Sequence, residues 1–214
     1  MRGVIDCLLC AWREQRRADA PAVAEPPPAA PPREERLALP GGRAVLLRPV
    51  RADDAEAEQA FVGGLSLASR HRRFHVGLRQ LSAPMLQQMT VVDQHRHVAL
   101  VAEALVADAL VADAPVPAAP RLVADARYVR LPTAPGQPAE AEFAIAVADD
   151  WQSLGLGRTL MDRLARHARA SGLRALVGDV LPDNRRMLVL MRGLGAHPRP
   201  HPDGPQLVQM VYPL

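Results

Sequence analysis

Residues 139–170 read AEAEFAIAVADDWQSLGLGRTLMDRLARHARA, and the order of elements in this stretch decides the fold. Glu140 to Val147 alternates: Phe143, Ile145 and Val147 fall on one face and Glu142, Ala144 and Ala146 on the other, the period-two pattern of a pleated strand. A tight acidic turn at Asp149 and Asp150 follows, then a glycine-bearing loop from Gln152 to Gly157. The chain continues as a helix to about Ala170, with Leu160, Met161, Leu164 and Ala168 on one side and Arg158, Asp162, Arg163, Arg166 and Arg169 largely on the other. Strand, loop and helix in this order make a site. Gly155 and Gly157 let bare backbone amides converge at the positive end of the helix dipole, which suits a phosphate.

Spacing separates the phosphate loops that compete for this stretch. A dinucleotide fingerprint needs a third glycine at position 160, where the chain has Leu160, and a Walker-type loop needs Gly-Lys-Ser/Thr. The pattern present is Gln152-x-x-Gly155-x-Gly157. These six residues alone also fit a plain tight turn, so the flanking segments matter. Ala175 to Leu181 supplies a second strand and Asn184 to Arg192 an Asn-opened helix.

In that setting the loop resembles the acetyl-CoA pyrophosphate loop of the GNAT-type N-acetyltransferase superfamily. LLRPVRADD (46–54), SRHRRF (69–74), ARYVR (126–130) and AEFAIAVADDWQ (141–152) resemble the GNAT domain of bacterial protein-lysine acetyltransferases that carry it fused to an acyl-CoA synthetase-like region. The resemblance covers roughly residues 43–214. It implies an α/β fold: a mixed, mostly antiparallel sheet flanked by helices, with splayed central strands and acetyl-CoA as co-substrate. The pantetheine would lie where Glu140–Val147 splays from Leu173–Leu181, held by backbone groups of Ile145 and Val147 with Ala146 between them. The pyrophosphate would sit over the amides of Leu154 to Thr159, a run that takes in Gly155, Leu156, Gly157 and Arg158. Ser153 adjoins that run, with Gln152 and Arg158 at its edges. Asn184 resembles the residue that reaches the cofactor from the other wall, and it reads equally as a helix cap.

Acetyl transfer to an amine needs the amine's proton removed. Glu142 is the first candidate base and Glu140 the second; a carboxylate half-buried beside Ala144 and Ala146 is expected to take the proton directly or through water. The plain alternative is an exposed edge-strand glutamate. Many superfamily members protonate the leaving thiolate with a tyrosine on the helix after the second strand. Asn184 to Arg192 contains none, which leaves that role unassigned. The acceptor reads as a protein lysine; a small-molecule amine, or a CoA-binding sensor without catalysis, are the other readings.

Composition bounds the rest. With 214 residues, 49% of them hydrophobic, the chain can bury one sizeable core. All 26 basic residues are arginine, the net charge is only +3 and 3% of residues are aromatic, which argues against nucleic acid as a partner. Cys7 and Cys10 lack the further ligands a zinc site needs, so no metal is expected and the pair reads as reduced cytoplasmic thiols. No apolar run approaches the roughly 20 residues of a membrane span. Residues 1–40 read as a disordered Pro/Ala-rich leader and 41–214 as the N-acetyltransferase domain.

Elsewhere the expected strands are Arg43–Val50, His97–Val106, Arg121–Leu131 and Gln206–Tyr212. Helices are expected over Asp53–Leu65, Ser66–Phe74 and Ser82–Val91. The repeat ALVAD at 104–108 and 109–113 reads as an expanded hairpin loop. The prolines at 198, 200, 202 and 205 read as a loop before the last strand.

Overall fold

The computed structural model describes residues 29–105, 121–201 and 204–214. The Cys7/Cys10 pair, most of the expected leader and the bulk of the ALVAD repeat lie outside the described residues. Among the described residues, five α-helices flank an eight-stranded sheet. The strands are β1 (Glu35–Leu39), β2 (Arg43–Pro49), β3 (His97–Leu105), β4 (Leu122–Arg130), β5 (Glu140–Val147), β6 (Ala175–Val180), β7 (His197–Pro200) and β8 (Val208–Pro213). The helices are α1 (Ala55–Gly64), α2 (Leu67–Phe74), α3 (Ala83–Thr90), α4 (Leu156–Ala170) and α5 (Arg185–Gly193). Spatial order is β1-β2-β3-β4-β5-β6-β8-β7, and every neighbouring pair is antiparallel except β5 with β6. No helix among the described residues is long and apolar enough to cross a membrane.

Local chemistry fixes the helix starts. The Ser66 hydroxyl accepts from Ser69 N at 3.1 Å to open α2, and that of Ser82 accepts from Met85 N at 3.4 Å to open α3, where Pro84 occupies a first-turn position that needs no N–H. Alternation then sorts the strands into two cores. Leu47, Val98, Leu100, Ala126, Tyr128 and Phe143 pack under Leu160, Met161 and Leu164 of α4. On the other face Ala99, Val101 and Leu122 meet Phe61 and Val62 of α1 and Phe74 at the end of α2.

Two strands correct the sequence reading. The sheet begins at Glu35, inside the stretch expected to be leader: Pro40-Gly41-Gly42 turns the chain with positive φ at both glycines, and ERLAL pairs back on β2 in register Leu39↔Arg43 to Glu35↔Leu47. Glu35 also grips Arg163 of α4 through two bonds of 2.7 Å. β7 forms where a proline loop was expected, because it is an edge strand, the one setting in which missing ladder donors are tolerated.

A buried ion pair ties the first crossing of the sheet to α1. Arg48, 1% exposed, donates to both carboxylate oxygens of Asp54 at 2.7 Å and to Glu103 at 3.0 Å. Burial pushes the Asp54 carboxyl up, but Arg48 and the Arg51 amide outweigh it and hold it below the usual range. Removing one partner strands a buried charge. Asp54→Ala is therefore expected to cost about 3–5 kcal/mol at neutral pH, measured by urea denaturation; a loss under about 1 kcal/mol would mean that Glu103 alone satisfies Arg48.

Candidate active site

The site begins where the sheet is interrupted. β5 and β6 pair for only three residues, Glu140↔Ala175, Ala141↔Leu176 and Glu142↔Val177. The next pair would be Phe143 and Gly178. A Cβ at Gly178 would lie 2.5 Å from the Phe143 ring, so the ring rests on the glycine backbone and wedges the strands apart. At the two ends of β5 Leu131 N bonds Glu140 O and Ala148 N bonds Val123 O, which assigns the backbone groups of the even residues of β5 to β4. The N–H and C=O of Ile145 and Val147 therefore point into the gap. Gln152 Nε2 takes the Val147 carbonyl at 3.0 Å.

A cleft of about 1000 Å³ runs through this gap. At its α4 end the helix has no side-chain cap: Gly155 (φ 84°) precedes it, Thr159 N makes the first internal bond to Gly155 O, and the amides of Leu156, Gly157 and Arg158 have no intrahelical partner. A β-carbon at Gly157 would meet only Leu190, Ile145 and Val147 at 3.5–4.0 Å, so the protein itself does not crowd this position. Bare amides at a 15-residue helix N-terminus fit a pyrophosphate. Gln152 links the loop to α5, accepting from Arg186 at 2.7 Å, while Arg158 donates to Gly193 O at 3.2 Å.

Ile145, Ala146, Val147, Gln152, Ser153, Gly155, Gly157, Arg158 and Asn184 all line the cleft. Ala146 offers it only a side chain, its backbone being spent on β4. Leu154 packs on the core and Leu156 is 1% exposed, so these two can offer a ligand only backbone; Thr159 spends its amide on Gly155 O and donates its hydroxyl to the same oxygen at 3.3 Å, which takes it out of the expected run of free amides. Asn184 caps α5, accepting from Met187 N at 3.3 Å, and faces the cleft as well. Of the two candidate bases, Glu142 lines the cleft and Glu140 sits at the paired end of β5, 3.4 Å from Arg199.

The α1–α3 face of the cleft holds residues that the sequence reading did not single out. Glu142, Val129 and His97 form one row across β5, β4 and β3; Ala144 and Arg127 lie in the next. Arg127 grips both oxygens of Asp125 and donates to Met89 O at 3.1 Å, with His97 Nε2 at 3.3 Å and Glu58 at 3.8 Å; Arg73 approaches Asp125 at 3.7 Å. A guanidinium can only donate, so His97 Nε2 accepts and the ring proton sits on Nδ1. Burial first and Arg127 second hold His97 down to about 3, which keeps it neutral. Asp-x-Arg inside the wholly buried strand LVADARYVR is the signal that pointed to this network.

The sequence profile described as the acetyltransferase (GNAT) family matches residues 116–196. An acetyltransferase of Pseudomonas aeruginosa is 35% identical over 165 residues, 77% of this chain and 81% of that protein. The crystal structure of the GNAT domain of S. lividans PAT superposes with a TM-score of 0.70 at 26% identity, covering 85% of this chain and 97% of that one. A Salmonella typhimurium acetyltransferase solved with its cofactor acetyl-CoA shares the fold, with a TM-score of 0.58 at 18% identity over 79% of this chain and 92% of that one.

Glu58, 3.8 Å from Arg127, gives this charge network a pH signature. It is fully buried, neither oxygen has a hydrogen-bond partner, and burial reinforced by Asp125 raises it to about 8 from an ordinary 4.5 despite Arg127. Between those values the folded state holds a proton that the unfolded state has lost, so this contribution to stability is present at acid pH and disappears as pH rises toward 8. Glu58→Gln, permanently neutral, should therefore gain at least about 1 kcal/mol relative to the parent between about pH 5 and about pH 8, read from urea curves at the two pH values; parallel behaviour would mean that Glu58 is ionised throughout.

Proposed function

The chain belongs to the GNAT family of acetyltransferases and is an acyltransferase enzyme; from that premise we propose that it moves an acetyl group from acetyl-CoA to the side-chain amine of a protein lysine, with Glu142 as general base. Acetyl-CoA supplies the activated acetyl group as a thioester. The observation that carries the reading is the position of Glu142 at the last paired residue of β5, directly before the strand's backbone opens into the gap. A donor bonded to the backbone of Ile145 and Val147, with its pyrophosphate on the α4 amides, presents its thioester near that carboxylate.

The residues then divide the work. The amides of Leu156, Gly157 and Arg158 bind negative charge without a competing side chain. Arg158 and Arg186 keep the loop against α5 and add positive charge at the same mouth. Ala144 and Ala146 leave room beside Glu142 for an approaching amine, and Glu142, half-buried on that face, takes a proton from it. The resemblance of LLRPVRADD (46–54), SRHRRF (69–74) and ARYVR (126–130) to the GNAT domain of bacterial protein-lysine acetyltransferases supports a lysine acceptor over a small amine. The compartment we propose is the cytoplasm.

Two variants and one panel test this. Glu142→Gln should lower kcat about 100-fold or more while leaving CoA affinity by isothermal titration unchanged, because only proton removal is affected. Gly157→Glu should abolish CoA binding, since it places bulk and negative charge on the amides. Thiol release should be faster with lysine peptides than with polyamines or aminoglycosides. Turnover on small amines alone would replace the acceptor, and CoA binding without turnover on any amine would make the protein a sensor.

A further inference from the structure

Three carboxylates line the cleft: Glu142, Asp93, whose Oδ1 accepts from the amides of His95, Arg96 and His97, and Asp179. β6 alternates so that Leu176, Gly178 and Val180 face the α4 core, which places Asp179 on the same face as Glu142, two residues past Glu142's partner Val177. Asp179 lines the cleft where the strands have parted. Its carboxylate is oriented from outside the cleft: Gln209 Nε2 donates to Oδ1 at 3.1 Å and His201 Nε2 lies 3.1 Å from Oδ2. His201 also lines a separate surface groove of about 630 Å³, bounded by Pro198, Pro200, Gly204 and Leu207. Asp179 and His201 therefore lead from the interior of the cleft toward the β7 side, with the His201 side chain 4% exposed.

The reaction's proton balance calls for such a path. An acceptor arriving as an ammonium loses two protons on becoming an amide: one ends on the sulfur that leaves with the C–S electron pair as the C–N bond forms, and the other goes to solvent. Glu142 can take one proton from nitrogen and return it to sulfur, and the net proton remains to be discharged. We propose that Asp179 binds the acceptor ammonium together with Glu142 and takes this net proton, and that His201 is the positioning residue that passes it to the β7-side groove. This rests on the acetyltransfer reading and narrows its acceptor to amines that arrive positively charged.

The experiment uses the full chain with CoA present, titrating a lysine peptide and, in a second arm, spermidine. Asp179→Asn, which preserves shape, should weaken acceptor binding about tenfold or more and lower kcat/KM further, with CoA affinity within about twofold of the parent. His201→Gln should leave acceptor affinity in place and reduce kcat about tenfold, with imidazole in the buffer restoring part of the rate. Weakening in the peptide arm alone assigns the ammonium to a protein lysine, and weakening in the spermidine arm alone assigns it to a small amine. If Asp179→Asn keeps acceptor affinity and kcat, or if both variants lose thermal stability and CoA affinity together, Asp179 only ties β6 to β8 and the proposal falls. Absence of CoA binding in the parent would instead overturn the acetyltransfer reading itself.

Discussion

An aromatic ring pressed on a glycine is the constraint from which the site follows. Phe143 and Gly178 face each other where β5 and β6 would form their next pair, and the ring takes the space that a side chain on β6 would need. A parallel pair running the full length of β5 would consume the backbone groups of Ile145 and Val147. Because it stops after three residues, the backbone groups of Ile145 and the N–H of Val147 face the gap, the Val147 carbonyl being taken by Gln152, and the loop and α4 N-terminus that follow β5 lie at the open end of the gap. Cleft and open backbone edge both derive from one local failure of sheet pairing, and the uncapped N-terminus of α4 opens onto them.

The face on which an acceptor would approach is built from charges that are mostly satisfied within the protein. Arg127 and Arg48 both sit on sheet strands beneath the α1–α3 layer, each with a carboxylate gripped through two contacts and a second one nearby. Such pairs gain little net stability over apolar packing, since desolvation offsets most of the attraction. They do resist rearrangement: moving Arg127 would break contacts to Asp125, Met89 and His97 together. The neutral His97 ring, with its proton on Nδ1, is one product of that rigidity.

Sequence periodicity made β5, its loop and α4 legible because all the information is local: alternation, two glycines and a helical stripe lie within 32 consecutive residues. The Asn184 cap was legible for the same reason. β1 and β7 were not. One is five residues inside a polar, proline-rich stretch and the other carries two prolines in four residues, so neither has the composition of a strand, and each exists only because a neighbour offers it an edge. The charge network and the Asp179–His201 contact were hidden for a different reason. Arg127 meets Glu58, and Asp179 meets Gln209, only after the registers of strands and helices 30 to 69 positions apart have been fixed.

The prolines of β7 bear on how copies of this protein meet. β7 ends the sheet, and two of its four residues, Pro198 and Pro200, have no N–H to offer a neighbouring chain. An incoming strand at this border would find acceptors without matching donors, which discourages the edge-to-edge pairing that leads to aggregation. Self-association through continued sheet hydrogen bonding is thereby discouraged at the β7 border.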